Sequence, residues 1–191
     1  MIYSEAIYPA IQFGKIMTKK AIGDAVSLQD LVTIKDQAVM IPQPGKRIHL
    51  QFRRFAGCPV CNIHLQSFFK RADELKDNNV HEVIVFHASK DKMLENVIEV
   101  PFDLIADPSR KLYRDFGVES SWTAVFNMSV LKQAIKGVRH FGMKMPQNLE
   151  AELGLPADFL IDETGKIVAL KYGVHADDQW SVDEVLSFQP N

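Results

Sequence analysis

The chain has 191 residues, a formal net charge of −2, 47% apolar and 24% charged residues. That balance fits one globular domain with an arm or insertion, and it excludes a protein drawn by overall charge to nucleic acid or an anionic membrane. Two cysteines exclude a disulfide-rich secreted scaffold, and no apolar run approaches the roughly 20 residues of a membrane span.

The N-terminus carries Glu5 and lacks a basic region followed by a long apolar core, so no signal peptide is expected and the cytoplasm is the expected compartment. Residues 1–23 read as an N-terminal arm. Ile2, Tyr3, Ile7, Tyr8, Ile11, Phe13, Ile16 and Met17 are apolar but follow no period. Such an arm either packs on a second subunit or covers its own core, and Met17 is also compatible with a start site. The domain proper is expected over residues 24–191.

Asp24 to Val32 holds a short strand and a turn, and Gln37 to Ile41 a second strand. Pro42, Pro44 and Gly45 mark a turn. Arg47 to Phe55 alternates: Ile48, Leu50 and Phe52 face one way, and Arg47, His49, Gln51 and Arg53 the other. A polar side on a central strand predicts an open, wet face. A helix from Pro59 to Asn78 aligns Leu65, Phe68, Phe69, Ala72 and Leu75 in one stripe. Val80 to Ala88 reads as a buried strand. Ser89 caps a helix through Ile98, with Met93, Leu94, Val97 and Ile98 on its apolar face.

Phe102 to Ala106 is a short strand. Asp107 and Pro108 then open a helix that Gly117 closes. Residues 119–153 read as a helical insertion. Phe159–Ile161 and Lys166–Tyr172 form a hairpin across Asp162-Glu163-Thr164-Gly165, and Ser181 caps a last helix. The alternation implies an α/β fold: a central mixed sheet flanked by helices, with parallel strands and an antiparallel hairpin edge. This is a thioredoxin-like topology.

Cys58-Pro59-Val60-Cys61 lies where the alternating strand gives way to the amphipathic helix. Residues one helical turn apart fall within the roughly 4.4–6.8 Å between Cα atoms that a disulfide requires. Strand, C-x-x-C, helix is the sequence form of a thioredoxin-like redox site. A helix N-terminus and nearby cations lower a thiol pKa, and the thiolate is the nucleophile. Cys58 is then the more exposed nucleophile and Cys61 the shielded, resolving thiol. Two other readings stand beside this one. Cys58, Cys61 and His64 form a C-x-x-C-x-x-H string, but a structural zinc site needs four ligands and these three converge poorly on one helix, so no metal is expected. Alternatively, both cysteines are inert and buried. Asn62 excludes haem attachment. His64 is expected on the helix surface.

Four segments carry a resemblance: Phe52 to Cys61, Val100 to Val118, Pro156 to Ile167, and Tyr172 to Leu186. In them the chain resembles the peroxiredoxin-like branch of the thioredoxin superfamily, the alkyl-hydroperoxide-reductase/thiol-specific-antioxidant (AhpC/TSA) group, over about residues 46–188 without the insertion. The resemblance implies a thiol-dependent antioxidant oxidoreductase that reduces peroxides or disulfides and carries no bound cofactor. Its electrons would come from a thioredoxin-like or low-molecular-weight thiol reductant. Homodimers are common in the family, and the apolar arm is compatible with one.

Two departures from the family pattern stand out. Aligned on Cys61, the place of the family's threonine holds Cys58 and that of its proline holds Arg54, which would make Cys61 the peroxide-attacking thiol. The place of the peroxide-binding arginine holds Pro156. A proline there is what disulfide reductases use, in cis and opposite the C-x-x-C, so Leu155–Pro156 is a candidate cis bond; the alternative is a strand-start proline. Arg53, Arg54 or Arg139 would replace the missing arginine, although each alone reads as a surface charge. Cys58 and Cys61 are thus the expected catalytic residues, and Pro156 and Arg54 the expected substrate-side ones. His175, Asp177, Asp178 and Trp180 read as a capped loop with an anchoring tryptophan. The competing class is a non-catalytic thioredoxin-fold binding module.

Overall fold

The computed structural model describes residues 18–53, 59–96, 101–118, 155–175 and 177–188, apart from the side chains at 59–62 and 96. Cys58, Arg54, Trp122, Arg139 and the expected insertion lie outside the described residues.

Strands β1 (Leu28–Val32) and β2 (Ala38–Ile41) pair as an antiparallel hairpin. The main sheet contains β3 (Arg47–Arg53), β4 (Val80–Phe86), β5 (Asp103–Ala106), β6 (Ala157–Ile161) and β7 (Ile167–Tyr172). Its order is β5-β4-β3-β6-β7, with β3, β4 and β5 parallel and β6 and β7 antiparallel to their neighbours. The mixed sheet flanked by helices is as the sequence predicts. Among the described residues the cis peptide bond is Ile41–Pro42; Leu155–Pro156 is not cis, and Pro156 is the strand-start proline before β6.

β3 lies at the centre, and each of its faces is covered. Ile48, Leu50 and Phe52 enter a core with Val83, Val85, Phe159 and Ile161. Phe52 meets Tyr113 edge-on at 5.0 Å, Phe116 at 5.1 Å and Phe159 at 5.7 Å between ring centroids. The opposite face carries His49, Gln51 and Arg53, all at 0% exposure. The wet face expected from their polarity is therefore not there. Helix α1 (Pro59–Lys70) covers it, joined by Trp180 and helix α5 (Val182–Ser187).

On α1 the buried residues are Leu65 and Phe68, while Phe69 is 47% exposed and drops out of the expected stripe. The helix read as continuous to Asn78 breaks at Arg71, and α2 (Ala72–Asp77) follows with Leu75 buried. Arg71 leaves the helical track to pair with Glu74 and Asp183. Helix α3 (Lys90–Asn96) follows Ser89 and buries Met93, but Leu94 is exposed. Helix α4 (Lys111–Asp115) starts later than Pro108. The Asp107 carboxylate still accepts from the N–H groups of Lys111 and Leu112 at 2.9 and 2.8 Å, so it caps the helix across the intervening turn. Gly117 ends it at φ 65°, and a Cβ there would stand 2.7 Å from the Thr18 carbonyl oxygen. Only glycine lets the 18–19 backbone pass so close. Ser181 and Glu184 close a capping box on α5, as expected.

Candidate functional site

The register puts one edge of the sheet at the start of α1. β3 ends at Arg53 beside Phe86, the last residue of β4, and Phe86 pairs with Ala106, the last of β5. Because β6 runs the other way, Ala157 pairs with Phe52, which brings Pro156 to the same edge, level with Arg53. Open α/β sheets bind their ligands at the carboxyl ends of parallel strands. The chain leaves β3 here, and α1 begins at Pro59, so that Cys61 is the third helical residue and Cys58 stands one position ahead of the helix in sequence. The first turn of α1 holds no acidic residue. The positive end of the helix dipole therefore favours an anion at this end.

Beneath α1 lies a feature that sequence reading missed. The two carboxylates Glu82 and Asp158 flank His49: its Nδ1 is 2.8 Å from Glu82 Oε2 and its Nε2 is 3.1 Å from Asp158 Oδ1. With a carboxylate at each ring nitrogen, both nitrogens carry protons and the ring is an imidazolium. Burial alone would push its pKa down, but Glu82 first, and then Asp158, hold it up to about 9. The ring lies between Phe68 and Trp180, at 5.6 and 5.7 Å. Arg53 Nη2 donates to Asp158 Oδ1 at 2.6 Å, and Gln51 Nε2 donates to Glu82. Burial would raise the Asp158 carboxyl; the Arg53 guanidinium and the His49 hydrogen bond hold it well below the ordinary carboxylate range. Two cations and two anions thus balance within the cluster. Among the described residues Gln51 Oε1 and Arg53 Nε are buried without a hydrogen-bond partner.

Arg53, expected as a surface charge, is instead locked into the core. His64, expected on the helix surface, turns inward: its Nε2 is 3.4 Å from Arg53 Nη2 and its ring 4.8 Å from Phe68. Burial and then the Arg53 guanidinium push its pKa well below the usual histidine value. Pro156 is buried, and its carbonyl accepts from Gly173 N–H at 2.9 Å. The 173–180 loop behaves as an anchor: Asp178 pairs with Lys171 at 2.8 Å, accepts from Val174 N–H, and Trp180 is 5% exposed. A sequence signal for the cluster did exist. Glu82 and Asp158 stand in strands that are apolar apart from them and His81, and buried acids require partners.

Among the described residues no three His, Cys, Asp or Glu side chains are grouped to hold a metal ion. No described helix is long and apolar enough to cross a membrane.

The family model described as "AhpC/TSA family" matches residues 15–170. No curated protein matches the chain. Among solved structures, it is similar to the reduced 2-Cys peroxiredoxin of Plasmodium vivax, with a TM-score of 0.60, 17% identity, and coverage of 86% of this chain and 78% of that one. It is similar to AhpC of Mycobacterium bovis, with a TM-score of 0.59, 19% identity, and coverage of 89% and 90%. A peroxiredoxin-like protein from Aquifex aeolicus gives a TM-score of 0.58 at 13% identity, covering 89% and 86%. At these identities the structural likeness is one of fold.

Proposed function

The chain belongs to the AhpC/TSA family, and on that premise we propose that it is a thiol-dependent oxidoreductase whose Cys58/Cys61 pair reduces peroxides or disulfides. The observation that carries this reading is that Cys61 is the third residue of α1, the helix that follows the carboxyl end of β3. A helix N-terminus without acidic neighbours favours thiolate.

With a peroxide, one thiolate attacks an oxygen and the O–O bond breaks. The sulfur becomes a sulfenic acid and the other oxygen leaves as water or an alcohol. The second thiol then displaces the sulfenic hydroxyl as water, forming the disulfide. An external dithiol, thioredoxin-like or small, returns two electrons by thiol–disulfide exchange. No bound cofactor is required. Pro156 enters as a substrate-side residue on its register beside Arg53, and Arg54 on its sequence position alone. The proposed setting is the cytoplasm, with a homodimer as the candidate assembly.

A second reading is disulfide exchange without peroxide turnover. It rests on Pro156, which puts no guanidinium at the start of β6, and on Arg53, whose charge is already committed to Asp158. Peroxide loss and disulfide reduction measured with the wild type, Cys58→Ser and Cys61→Ser separate the readings. Thiol-dependent peroxide loss that needs Cys58 or Cys61 supports the first. Disulfide reduction alone selects the second, and neither activity leaves a thioredoxin-fold binding module.

A further inference from the structure

We propose that His87 and Arg110 form a binding site for a carboxylate at the carboxyl edge of β4 and β5. The inference stands apart from the thiol reading and goes beyond it.

Arg110 Nε donates to His87 Nε2 at 2.8 Å, and Arg110 Nη2 lies 3.1 Å from His87 Nδ1. Arginine has no lone pair, and a neutral imidazole has one ring nitrogen that accepts. Nε2 is that nitrogen, so Nδ1 carries the ring proton. In the 3.1 Å contact two N–H groups therefore face each other. Two donors this close are satisfied by one shared acceptor. An anionic oxygen serves both and opposes the guanidinium charge.

The backbone supports the same reading. Arg110 holds φ 56° and ψ 28°, in the left-handed region that is costly for a residue with a Cβ. Its N–H donates to the Asp107 carbonyl at 3.0 Å, which fixes the turn. The turn brings the guanidinium to His87, the residue after β4. Strain of this kind collects at ligand sites.

The position also suits a ligand. Phe86 and Ala106 end β4 and β5 in register, and the Asp107 N–H donates to the Phe86 carbonyl at 2.9 Å. Ligands of open α/β sheets bind outside such carboxyl ends. The His87 ring stands edge-on to Tyr113 at 6.1 Å, and the Tyr113 hydroxyl donates to the Val85 carbonyl at 3.1 Å, so the pair is seated on the sheet. The first N–H groups of α4 take no part, because the Asp107 carboxylate accepts from Lys111 and Leu112. Asp107 is thereby committed, and Asp115 pairs with Lys111 at 2.7 Å. His87 and Arg110 are both half-buried, within reach of a small anion from solvent.

Acetate is the probe, titrated into the isotopically labelled wild-type chain against chloride at matched ionic strength. The His87 ring and Arg110 Nε–H signals are expected to shift saturably with acetate, with a dissociation constant in the millimolar range. Asparagine tolerates left-handed backbone, so Arg110→Asn is expected to weaken acetate binding by about tenfold or more while the urea midpoint stays at or above that of the wild type. His87→Phe keeps a ring against Tyr113 and removes the N–H, and is expected to weaken binding to a similar degree. Equal shifts with chloride, or no saturation with acetate, mean that the chain supplies the acceptor itself and overturn the proposal. Acetate binding that survives both substitutions overturns it too. So does a lower urea midpoint in Arg110→Asn, which makes the pair a contact of the fold. None of these readouts involves a thiol, so loss of peroxide or disulfide turnover bears on the proposed function alone.

Discussion

Arg53 Nη2 donates to Asp158 Oδ1 over 2.6 Å, and both side chains are wholly buried. The pair ties the last residue of β3 to the second residue of β6, at the edge where α1 begins. Desolvating such a pair is costly, so it adds little net stability compared with an apolar equivalent. Its consequence is geometric: Arg53 also reaches the Phe52 and Ala157 carbonyls, and Asp158 also reaches His49, so the pair fixes β3 against β6.

Breaking the pair from its two ends is not equivalent. Asp158→Asn strips a carboxylate from both Arg53 and His49, whereas Arg53→Met leaves Asp158 paired with His49. Urea unfolding is expected to show a loss of about 3–5 kcal/mol for Asp158→Asn and a smaller loss for Arg53→Met. The double variant is expected to cost less than the two losses added together. A larger loss for Arg53→Met contradicts the assignment of Asp158 as the hub.

Gly173 tests the site edge from the other side. A Cβ there would lie 2.4 Å from the Asp178 carbonyl oxygen and 2.7 Å from Pro156 Cγ. Neither neighbour is a flexible side-chain end. Gly173→Ala is expected to cost about 1–3 kcal/mol by overpacking, and to shift Pro156 relative to β3. Amide NMR shifts at 157–158 report the displacement. An unshifted edge at wild-type stability refutes the close packing.

The fold was legible in the sequence to the extent that local rules govern it. The alternation of Ile48, Leu50 and Phe52 placed β3, and Ser181 with Glu184 placed the start of α5. What the alternation reports is the chemistry of a face, not its access to water. The partners of His49 and Arg53 come from β4 and β6, 33 and 105 or more residues away, and only the strand order brings them together. Phe69 and Leu94 satisfy a helical stripe yet stay exposed, because the stripe does not reveal how wide a face the sheet can cover. The break at Arg71 has no glycine or proline to announce it; it coincides with the pairing of Arg71 to Asp183, a contact 112 residues distant. At Asp107 the cap was identified correctly but the helix start was not, since the carboxylate reaches N–H groups four and five residues ahead.

The capping box on α5 matters to the site through Trp180, which precedes Ser181 and packs on His49. Ser181 Oγ accepts from Glu184 N–H at 3.2 Å, and Glu184 accepts from Ser181 N–H at 2.7 Å. Ser181→Ala is expected to cost about 1 kcal/mol. The loss should appear together with faster hydrogen exchange at Trp180, whose backbone N–H is 3.3 Å from Asp158. A stability loss with unchanged exchange at Trp180 separates the cap from the cluster.

The cluster also sets a pH dependence. In the folded chain His49 holds its proton up to about pH 9, against an ordinary value of 6.5. Between those values the native state binds more protons than the unfolded chain, so stability falls as pH rises. The contribution is full below 6.5 and lost as pH passes about 9. Asp158 acts at the acid end: its depressed carboxyl contributes fully above the ordinary 3.8 and loses that contribution as pH falls through its lower folded value. Denaturant titrations are best run in a Cys58→Ser, Cys61→Ser chain, so that no thiol titrates in the alkaline window. Stability is expected to drop by on the order of 3 kcal/mol between about pH 6.5 and pH 9. Glu82 is the largest influence holding the His49 proton, so Glu82→Gln should move the decline to lower pH and make it shallower. A flat profile in that window, or an unchanged decline in Glu82→Gln, would mean that His49 is not an imidazolium in the folded protein.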